Sequence, residues 1–575
     1  GIFVADMTSS SSALKALISN NEVEKVVCTL TAANSPVTGI RLTSSSGGEI
    51  HATKNVIRDV SAAGENEVKI IAFPSSVSVV DFDSNEIVGV RAGGFTEVVG
   101  MRGRNVHNNK LYDVMTTGGN LHGYYHVSQG SVNFHNNIIA GFRHEGTSGI
   151  IRLINLNWAR NASALYNNFI EGSVGSSYQT NAEGGFCGIY TNTNSAYTFY
   201  HNTIKIAKDG LSTGDMGAAA IWAYSSSSVL KIYNNIFHVD VTPSGSNFTT
   251  AIYRRISSNP TATNFDADAN IYYVPTAANS YIYADRINTF GPINDPAFNK
   301  TCGVYKTFMR SLGLKEQNSY VENNLVAGTI PGTFVPSGAS YAKGVGVATV
   351  SPAVTTDYSG AARPNPGSDA GALQFAGTPA DVVPPVITYT PLPASSCDTL
   401  PPVLVATITD NISIPVSPAS APRLYYRKDS EQNAFGSYPA DNNASFNGWK
   451  YVTGTNVGGN DFHFNFDYSL LTAPVAAGEV IHYFVIAQDD AGNAHAVTVG
   501  FPAAFCMGGV NLTAAAGPVE AAPTVNSFTI QDNALQSLTP PGPVSLCGGN
   551  GVDLEVTGAA SSYIWYRNDT LIGGA

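Results

Sequence analysis

Two short clusters hold the residues best suited to acid–base chemistry in the first half of the chain. His122 and His126 flank a tyrosine pair, and Arg143 and Glu145 follow with His144 between them. A histidine can take a proton near neutral pH, and an arginine can neutralise a developing negative charge. In a strand, Arg143 and Glu145 share one face while His144 points to the other. A surface ion pair between Arg143 and Glu145 is the simpler interpretation, because ionisable side chains at solvated positions need no function.

Adjacent tyrosines offer a surface on which sugars can stack. Tyr124 and Tyr125 are neighbours, as are Tyr272 and Tyr273, so one member of each pair must face outward in a strand. Aromatic stacking along a repeat is the alternative explanation. No GxSxG, HExxH or P-loop motif is present in the sequence, so no nucleophile or metalloprotease signature competes with these clusters.

Oxygen ligands in two segments of the second half suggest a calcium site. Asp410 and Asn411 lie in ITDN, and Asp489, Asp490 and Asn493 lie in QDDAGN. Carboxylate and amide oxygens suit calcium, but Asp, Asn and Gly are also the commonest turn residues. Calcium is therefore the one cofactor that the sequence suggests, with turn formation as the alternative.

The elements that must position the first clusters form a repeat. Eight short segments, from HATKNVI to DADANIY, are centred on an asparagine and recur every 24 to 35 residues. An apolar or aromatic residue lies two positions after each asparagine, and usually another lies three positions before it. The eight asparagines are Asn55, Asn85, Asn109, Asn137, Asn168, Asn202, Asn235 and Asn270.

A β-rich repeat of about 30 residues predicts one coil of a parallel β-helix per repeat. The apolar positions lie an odd number of residues apart, so alternation breaks at the asparagine and predicts a bend there. Asparagine tolerates the left-handed conformation that such a bend needs. Stacked asparagine side chains can also hydrogen-bond along the axis. This structural ladder is favoured over a row of ligand-binding amides, because stacking requires the same turn residue in every coil.

The composition narrows the class of protein. The chain has 575 residues, 43% hydrophobic and 13% charged, with a formal net charge of −12. The acidic balance provides no basic surface for nucleic acid, and no apolar run is long enough to predict a transmembrane segment. The hydrophobic content and low net charge per residue exclude disorder by composition. A β-rich protein rich in uncharged polar residues remains, which is common among secreted and cell-surface proteins.

The sequence changes character after residue 376. GTPADVVPPVITYTPLP reads as a linker, and Phe462, Phe464, Phe466 and Tyr468 then alternate with polar residues. Together with RLYYRK and VIHYFVIAQ, they predict the strands of a β-sandwich. The predicted boundaries are 1–376 for the β-helix, 377–385 for a linker, 386–516 for the sandwich and 517–575 for a linker with the incomplete start of a second sandwich.

Cysteines frame the predicted sandwich. A disulfide between Cys397 and Cys506 would close a long loop and stabilise the domain by about 4–5 kcal/mol in the chain-entropy model. Trp565 follows Cys547 as in an Ig-like core. The final segment holds only the first strands of such a module, so we expect the native chain to continue beyond Ala575.

Residues 351–375, SPAVTTDYSGAARPNPGSDAGALQF, carry a resemblance to a known group. They resemble the closing motif of secreted right-handed parallel β-helix repeat proteins of Bacteroidetes. Its glycines suit tight turns, and its arginine has carboxylates nearby to pair with. The matching residues are Asp357, Gly360, Arg363, Pro364, Asp369, Gly371 and Ala372.

The second half resembles the Ig-like or fibronectin-like modules of Bacteroidetes surface proteins, through PPVITYTPL, APRLYYRK and HYFVIAQDDAGN. Such proteins are typically exported by the type IX secretion system, so the resemblance implies an extracellular or cell-surface location and contact with that machinery. Asp-Thr-Leu at 398–400 and 569–571 resembles an O-glycosylation sequon of this group, which would place sugars on Thr399 and Thr570.

These observations favour an extracellular, modular adhesin or filament component. Its β-helix would bind a glycan or another surface ligand, and its all-β Ig-like sandwiches, with further domains of the same chain, would act as spacers. The competing class is a carbohydrate-active enzyme, either a polysaccharide lyase or a glycoside hydrolase, with its site in the β-helix groove. The scarcity of charged residues leaves few acid–base candidates and favours binding. A convergent carboxylate pair in a groove would favour the enzyme.

Overall fold

A computed structural model describes the following residues of the chain: 2–4, 15–29, 37–42, 49–64, 68–72, 79–101, 104–126, 130–157, 159, 161–180, 183–210, 215–293, 295, 298–299, 303–347, 353–381, 385–396, 401–411, 413–418, 420–431, 442–445, 447–488, 496–498, 525–531, 537–539, 555–557, 564–567 and 570–574. Two compact units divide the chain. The first comprises residues 1–299 and 303–380, and the second comprises residues 300–302 and 381–575. Across the described ranges, no helix has both the length and the apolar character needed to cross a membrane.

Three parallel sheets make the first unit a β-solenoid, because successive coils add one strand to each sheet. Sheet A consists of Lys15–Ser19, Glu49–Thr53, Val79–Asp83, Asn105–His107, Asn133–His135, Ser163–Tyr166, Ala196–Tyr200, Val229–Tyr233 and Phe265–Asp268. Sheet B consists of Glu22–Glu24, Val27–Cys28, Val56–Ala62, Glu86–Ala92, Lys110–Thr116, Ile138–His144, Phe169–Val174, Thr203–Lys208, Ile236–Asp240, Ile271–Tyr273 and Tyr320–Val321. Sheet C consists of Ile2–Val4, Val37–Leu42, Val68–Ala72, Thr96–Met101, Leu121–His126, Ile151–Leu156, Phe186–Thr191, Ala219–Ala223, Thr249–Arg254, Ser280–Asp285 and the antiparallel edge strand Thr289–Phe290. The predicted parallel β-helix is confirmed at this level.

Apolar side chains stack in register inside the solenoid. The residues two positions after the ladder asparagines pair from coil to coil in sheet B, and all of them are buried. Because neighbouring strands are about 4.8 Å apart, each of these side chains covers the one below it. The column is Ile57, Ile87, Leu111, Ile139, Ile170, Ile204, Phe237 and Tyr272.

The asparagine ladder lies between sheets A and B and is confirmed. Each ladder amide donates from Nδ2 to the Oδ1 of the asparagine in the next coil, over 2.8–3.0 Å. Each also donates to a backbone carbonyl of the preceding coil, as Asn168 does to Phe134. The ladder begins one coil before the predicted series, at Asn21, and ends where Asn270 N donates to Ser319 Oγ at 2.9 Å.

The predicted conformation of the ladder asparagines is wrong. Positive φ angles of 52–58° occur one residue earlier, at Lys54, Ser84, Asn108, Asn136, Asn167, His201, Asn234 and Ala269. The ladder asparagine directs its side chain toward the neighbouring coils and is fully buried, so the residue before it makes the turn. The repeated asparagine therefore reports the hydrogen-bonded ladder, and the bend needs no fixed residue type.

Residues 276–320, which contain none of the eight asparagine repeats, continue the solenoid and then close it. Ser280–Asp285 pairs in parallel with Thr249–Arg254, and the helix Val304–Ser311 follows. The Asp295 carboxylate accepts hydrogen bonds from the backbone nitrogens of Val304 and Tyr305 at 2.9 and 2.8 Å. An anionic acceptor at a helix N-terminus satisfies otherwise unpaired donors, which fixes the start of this closing helix.

Beneath this helix, two ionisable side chains are buried together. The Glu316 carboxylate accepts hydrogen bonds from the hydroxyls of Tyr272 and Tyr305 at 2.7 and 3.3 Å. Burial raises the pKa of Glu316 to about 7 and lowers the pKa of Lys306 to about 8. The Lys306 ammonium lies 4.2 Å from the centre of the Tyr320 ring. Both side chains lose solvation in this site. The carboxylate of Glu316 therefore exchanges its proton in the physiological pH range.

Glu316 should make the stability of this end of the solenoid depend on pH. Its pKa is higher in the folded than in the unfolded chain, so its contribution to stability is complete below about pH 4.5 and is lost as the pH rises through 7. Lys306 stays protonated below about pH 8, so its contribution changes little over that interval. We expect the stability of Glu316→Gln relative to the wild type to rise by about 2–3 kcal/mol from pH 5 to pH 8. Urea unfolding at both pH values measures this, with exposed Glu24→Gln as the control; parallel profiles for Glu316→Gln and wild type would contradict it.

The segment that resembles a closing motif packs along the outside of sheet B. Arg363 is buried, and its guanidinium donates to the carbonyl oxygens of Asp369 and Gly371 at 3.2 and 2.9 Å and to Asn167 Oδ1 at 2.9 Å. Burial lowers the pKa of Arg363 to about 10, and the nearby carboxylates of Asp357 and Asp369 oppose that shift. Neither carboxylate forms an ion pair with Arg363, because both accept backbone N–H groups and Asp369 pairs with Lys343. The arginine therefore ties the segment to the solenoid through carbonyl oxygens.

The second unit is built from two small sheets. The first contains, in order, Val386–Thr388, Val403–Thr409, Asp461–Asn465 and Thr455–Gly458. The second contains, in order, Ser395–Ser396, Asn526–Ile530, Val480–Gln488, Arg423–Lys428 and Lys450–Thr453, with Ala496–Thr498 also paired to Val480–Gln488. Leu404 and Phe464 of the first sheet share one apolar core with Tyr426, Val485 and Phe528 of the second. The predicted strands RLYYRK, VIHYFVIAQ and DFHFN are thus confirmed.

Several short strands pair outside the larger sheets. Two-stranded pairings join Leu325–Ala327 to Phe334–Pro336, Ala339–Ser340 to Thr378–Pro379, Ser537–Thr539 to Glu555–Thr557, and Ile564–Arg567 to Thr570–Gly574. In the described part of the second unit, Tyr468–Leu470 forms one turn of 3-10 helix. The predicted partners Cys397 and Cys506 both lie outside the described residues, whereas Cys28 and Cys187 are free cysteines of the solenoid.

Candidate functional site

The outer face of sheet C carries two rows of side chains in register across the coils. The first row is Glu97, His122, Arg152, Cys187, Ala219, Thr250 and Tyr281. The second row is Tyr125, Asn155, Tyr190, Trp222, Tyr253 and Ala284. Each step along a row is one strand, or about 4.8 Å. The first row begins with ionisable residues, and the second row is mostly aromatic.

Ring contacts join Trp222 and Tyr253, which are buried, to partly exposed rings beside the row. Trp222 lies 4.2 Å from Tyr253 and 5.5 Å from Phe248, measured between ring centres. Phe248 also lies 6.1 Å from Tyr281, and Tyr190 lies 6.1 Å from the Tyr224 ring in the next coil. Phe248 and Tyr281 are partly exposed. The outer face of sheet C therefore carries an aromatic cluster that is separate from the solenoid core.

A cavity of about 300 Å³ opens beside Trp222. Its walls come from three segments that the sequence separates, and they include Glu183, Gly184, Asp215, Trp222 and Phe248. Gly184 lies against the indole, since a Cβ at this position would be 2.9 Å from Trp222 Cγ and Cδ1. Its φ of +63° also favours glycine. The loop thus approaches the ring as closely as backbone can.

Trp222 lines this cavity, and its indole N–H is a buried donor without a hydrogen-bond partner among the described residues. Trp222 is 5% exposed, and its Nε1 has no hydrogen-bond partner among the described residues. A buried donor without an acceptor costs about 1–3 kcal/mol, so such groups usually mark a place for water or a ligand. The indole nitrogen is itself buried against Gly184, so a ligand in the cavity reaches it only if this loop moves aside.

The two carboxylates of the cavity already have partners. Glu183 lies 3.6 Å from the Arg255 guanidinium, and Asp215 accepts a hydrogen bond from Ser246 N at 3.2 Å. Both side chains are on exposed residues at the cavity mouth. They therefore give the site polar walls and hold its loops in place.

Arginine side chains lie flat on two tyrosines beside the aromatic row. The Arg152 guanidinium carbon is 3.4 Å from the centre of the Tyr190 ring, and its Nε donates to the carbonyl oxygen of Gly184 at 3.1 Å. The Arg255 guanidinium carbon is 4.0 Å from the centre of the Tyr224 ring. Cation–π stacking fixes each guanidinium plane and leaves its edge for other acceptors.

His122 belongs to the same face as Arg152, in the adjacent coil. Its ring stacks on Tyr125 at 5.1 Å, and its Nδ1 donates to the carbonyl oxygen of Arg152 at 3.2 Å. Burial lowers the pKa of His122 to about 4, so the ring is neutral at physiological pH and its Nε2 holds the lone pair. Of the predicted site residues, His122 and Tyr125 lie on this face.

The other members of that cluster point inward. Tyr124 and His126 are buried, and the Tyr124 hydroxyl lies 3.1 Å from His126 Nδ1 inside the solenoid. Tyr124 packs against Phe134 in the core. Each tyrosine pair therefore has one inward and one outward member as predicted, and Tyr125 and Tyr273 are the partly exposed ones.

Arg143 and Glu145 form the surface ion pair that the sequence predicted. The Arg143 guanidinium contacts both Glu145 and Asp209, and these carboxylates raise its pKa above the ordinary value. Between them, His144 is buried and its Nε2 lies 3.0 Å from the carbonyl oxygen of Gly119. The pair lies on sheet B, apart from the groove on sheet C, so the structure does not bring the two candidate clusters together.

The predicted calcium and glycosylation positions are only partly described. Asp410 lies in the second unit, whereas Asp489, Asp490, Asn493 and Thr399 lie outside the described residues. Thr570 begins the strand Thr570–Gly574, and its side chain also lies outside the described part. Within the described ranges, no group of three His, Cys, Asp or Glu side chains is placed to hold a metal ion.

The groove contains residues that the sequence reasoning missed, chiefly Arg152, Tyr190, Trp222 and Phe248. A signal for part of it was present, because GIYT at 188–191, AIWA at 220–223 and AIYR at 251–254 each place an aromatic residue after an isoleucine. Aligning those segments as a second repeat would have predicted the aromatic row. No protein-family model, curated protein or solved structure matches this chain.

Proposed function

We propose that the first unit binds an extracellular glycan in the groove on the outer face of sheet C. The observation that carries the proposal is the group of aromatic side chains around Trp222 beside a cavity of about 300 Å³, with the partly exposed Phe248 in its wall. Sugar rings have apolar faces that pack on aromatic rings and hydroxyl edges that need donors and acceptors. The site supplies both, and residues of three neighbouring coils line its cavity.

We propose the wider role of a surface adhesin for the whole chain. The solenoid would be its binding head, and the second unit, with two sheets around one apolar core, would be an Ig-like spacer. Export by the type IX system and a location outside the cell are part of this proposal, and they are supported by the polar, weakly charged composition. A calcium site at Asp410 with Asp489 and Asp490, and sugars on Thr399 and Thr570, remain predictions of the same proposal.

Replacing Trp222 tests the binding function. We expect Trp222→Ala to weaken binding to the best polysaccharide of an immobilised panel by roughly tenfold or more, since the ring and its donor are both lost. Trp222→Phe keeps the packing and removes only the N–H, so an intermediate loss is expected. Affinity electrophoresis or calorimetry measures these changes.

The matched control is Tyr273→Ala. Tyr273 is a partly exposed aromatic residue of sheet B, where it stacks on His238 at 4.5 Å. Circular dichroism must show that all variants are folded. If Tyr273→Ala and Trp222→Phe reduce binding equally, or if the wild type binds no polysaccharide of the panel, the proposed function is wrong.

A second candidate is glycoside hydrolysis, favoured by the two carboxylates of the cavity. A hydrolase needs one carboxylic acid and one carboxylate on either side of the scissile bond, and Glu183 and Asp215 both line the cavity. The ion pair of Glu183 and the backbone contact of Asp215 favour binding over catalysis. Reducing-end release from the bound polysaccharide, lost in both Glu183→Gln and Asp215→Asn, would establish the hydrolase instead.

A further inference from the structure

We infer that the glycan bound in this groove is anionic, and that Arg152 and Arg255 recognise its carboxylate or sulfate groups. This inference rests on the proposed binding function and adds the chemical class of the ligand. Neither arginine was among the residues that the sequence pointed to. Each guanidinium is held over a tyrosine ring, and its terminal nitrogens have no acceptor among the described residues.

Arg152 is oriented but has no anionic partner. Its Nε donates to Gly184 O and its plane rests on Tyr190, which together fix the direction of the guanidinium edge. Among the described residues, no carboxylate lies within 4.0 Å of it and nothing accepts a hydrogen bond from its terminal nitrogens. The side chain is partly exposed, so those nitrogens face the groove's solvent.

Other arginines of the solenoid provide the contrast. On the outer face of sheet B, Arg58 contacts Glu22, Glu24 and Glu86. Arg91 contacts Asp113 on the same face. Arg143 contacts Glu145 and Asp209. Arg254 and Arg363 also lack a carboxylate partner in the described part of the chain, but their terminal nitrogens donate to protein oxygens. Among the described residues, those of Arg152 do not.

Arg255 repeats the arrangement of Arg152 farther along the groove. Its guanidinium lies over Tyr224, and Tyr224 contacts Tyr190, on which Arg152 lies. Its Nε forms an ion pair with the Glu183 carboxylate at 3.6 Å, and its terminal nitrogens have no acceptor among the described residues. Two guanidinium groups therefore border the pair Tyr190 and Tyr224, and the terminal nitrogens of both can donate hydrogen bonds to an anion.

This array suits acidic groups repeated along a polymer. A guanidinium edge binds a carboxylate or sulfate through two parallel hydrogen bonds, and stacking on an aromatic ring restricts its motion before the ligand arrives. The strands that precede the two arginines are three strand spacings apart, or about 14 Å along the axis. The net charge of −12 repels acidic polymers at long range, so recognition must come from such local cations.

Matched polymer pairs test the inference. Polygalacturonate and its methyl ester differ only in the carboxylate charge, and dextran sulfate and dextran differ only in the sulfate. We expect the wild type to bind at least one acidic polymer about ten- to a hundredfold more tightly than its neutral counterpart. Arg152→Gln and Arg255→Gln should each remove most of that preference, and the pair that responds tells carboxylate from sulfate.

Arg91→Gln is the control, because Arg91 is a comparably exposed arginine of sheet B with its own carboxylate partner. Arg152→Lys keeps the charge and loses the flat, two-donor edge, so it should restore only part of the preference. The inference is overturned if wild type prefers neutral polymers, or if Arg152→Gln and Arg255→Gln leave the preference unchanged. Neutral binding that is lost in Trp222→Ala would still uphold the proposed function, whereas binding to no polymer rejects both.

Discussion

Replacing Asn168 by alanine should destabilise the solenoid by about 3–5 kcal/mol, because it interrupts the asparagine ladder at its centre. Asn168 is fully buried, and its Oδ1 accepts hydrogen bonds from both N and Nδ2 of Asn137 at 3.0 Å. Its Nδ2 donates to Asn202 Oδ1 at 2.8 Å and to Phe134 O at 2.9 Å. Alanine removes all four bonds and leaves buried donors and acceptors unpaired.

The effect should depend on position along the ladder. Asn21 occupies its first step, is only half-buried and has no preceding ladder residue among the described coils, so Asn21→Ala should cost less than half as much. Asn194→Ala, at an exposed turn of the same solenoid, is the control and should change stability by under about 0.5 kcal/mol. Urea unfolding followed by circular dichroism measures all three. Equal losses for Asn168 and Asn194 would show that the ladder does not stabilise the fold.

The second large effect is expected at Arg363. Arg363→Met keeps the length and apolar stem of the side chain and removes its donors to Asp369 O, Gly371 O and Asn167 Oδ1. Because these acceptors lie in a buried site, the loss should be about 3–4 kcal/mol. The segment around Gly371 should then detach from sheet B at a lower denaturant concentration than the rest of the solenoid unfolds.

Limited proteolysis and hydrogen exchange of this segment measure that detachment. The control is Arg91→Met, which removes a solvent-exposed ion pair with Asp113 and should cost less than about 1 kcal/mol. Equal protection of residues 353–375 in Arg363→Met and in the wild type would contradict the assignment of Arg363 as the link between segment and solenoid.

The groove changes how the two predicted classes compare. From the sequence, a convergent pair of carboxylates in a groove would have favoured the enzyme. The outer face of sheet C instead has aromatic rings bordered by arginines, with Glu183 and Asp215 at the cavity mouth. Rings and stacked guanidiniums bind sugars and acidic groups without transferring a proton, which keeps binding ahead of catalysis.

The predicted catalytic candidates show where local reasoning succeeds. Arg143 lies in the strand Ile138–His144 and Glu145 follows directly after it, so their ion pair agrees with the alternation of side chains. His122 and His126 have a similar spacing, yet one faces the groove and the other the core. The alternation of side chains is interrupted between them, because Tyr124 already points into the core although it lies two residues after His122.

The sequence by itself determined the period of the solenoid, its apolar columns and the asparagine ladder. These features repeat because each coil must place the same kind of residue above its neighbour, so one rule acts at every step and becomes visible along the chain. Only the tertiary structure decided which outward face is a site. Arg152, Gly184, Trp222 and Phe248 come from different coils and loops, and they meet because parallel strands about 4.8 Å apart bring residues roughly 30 positions apart side by side. Outward positions follow a repeat only where they pack against one another, as the aromatic residues of GIYT, AIWA and AIYR do. Elsewhere solvent accepts almost any side chain.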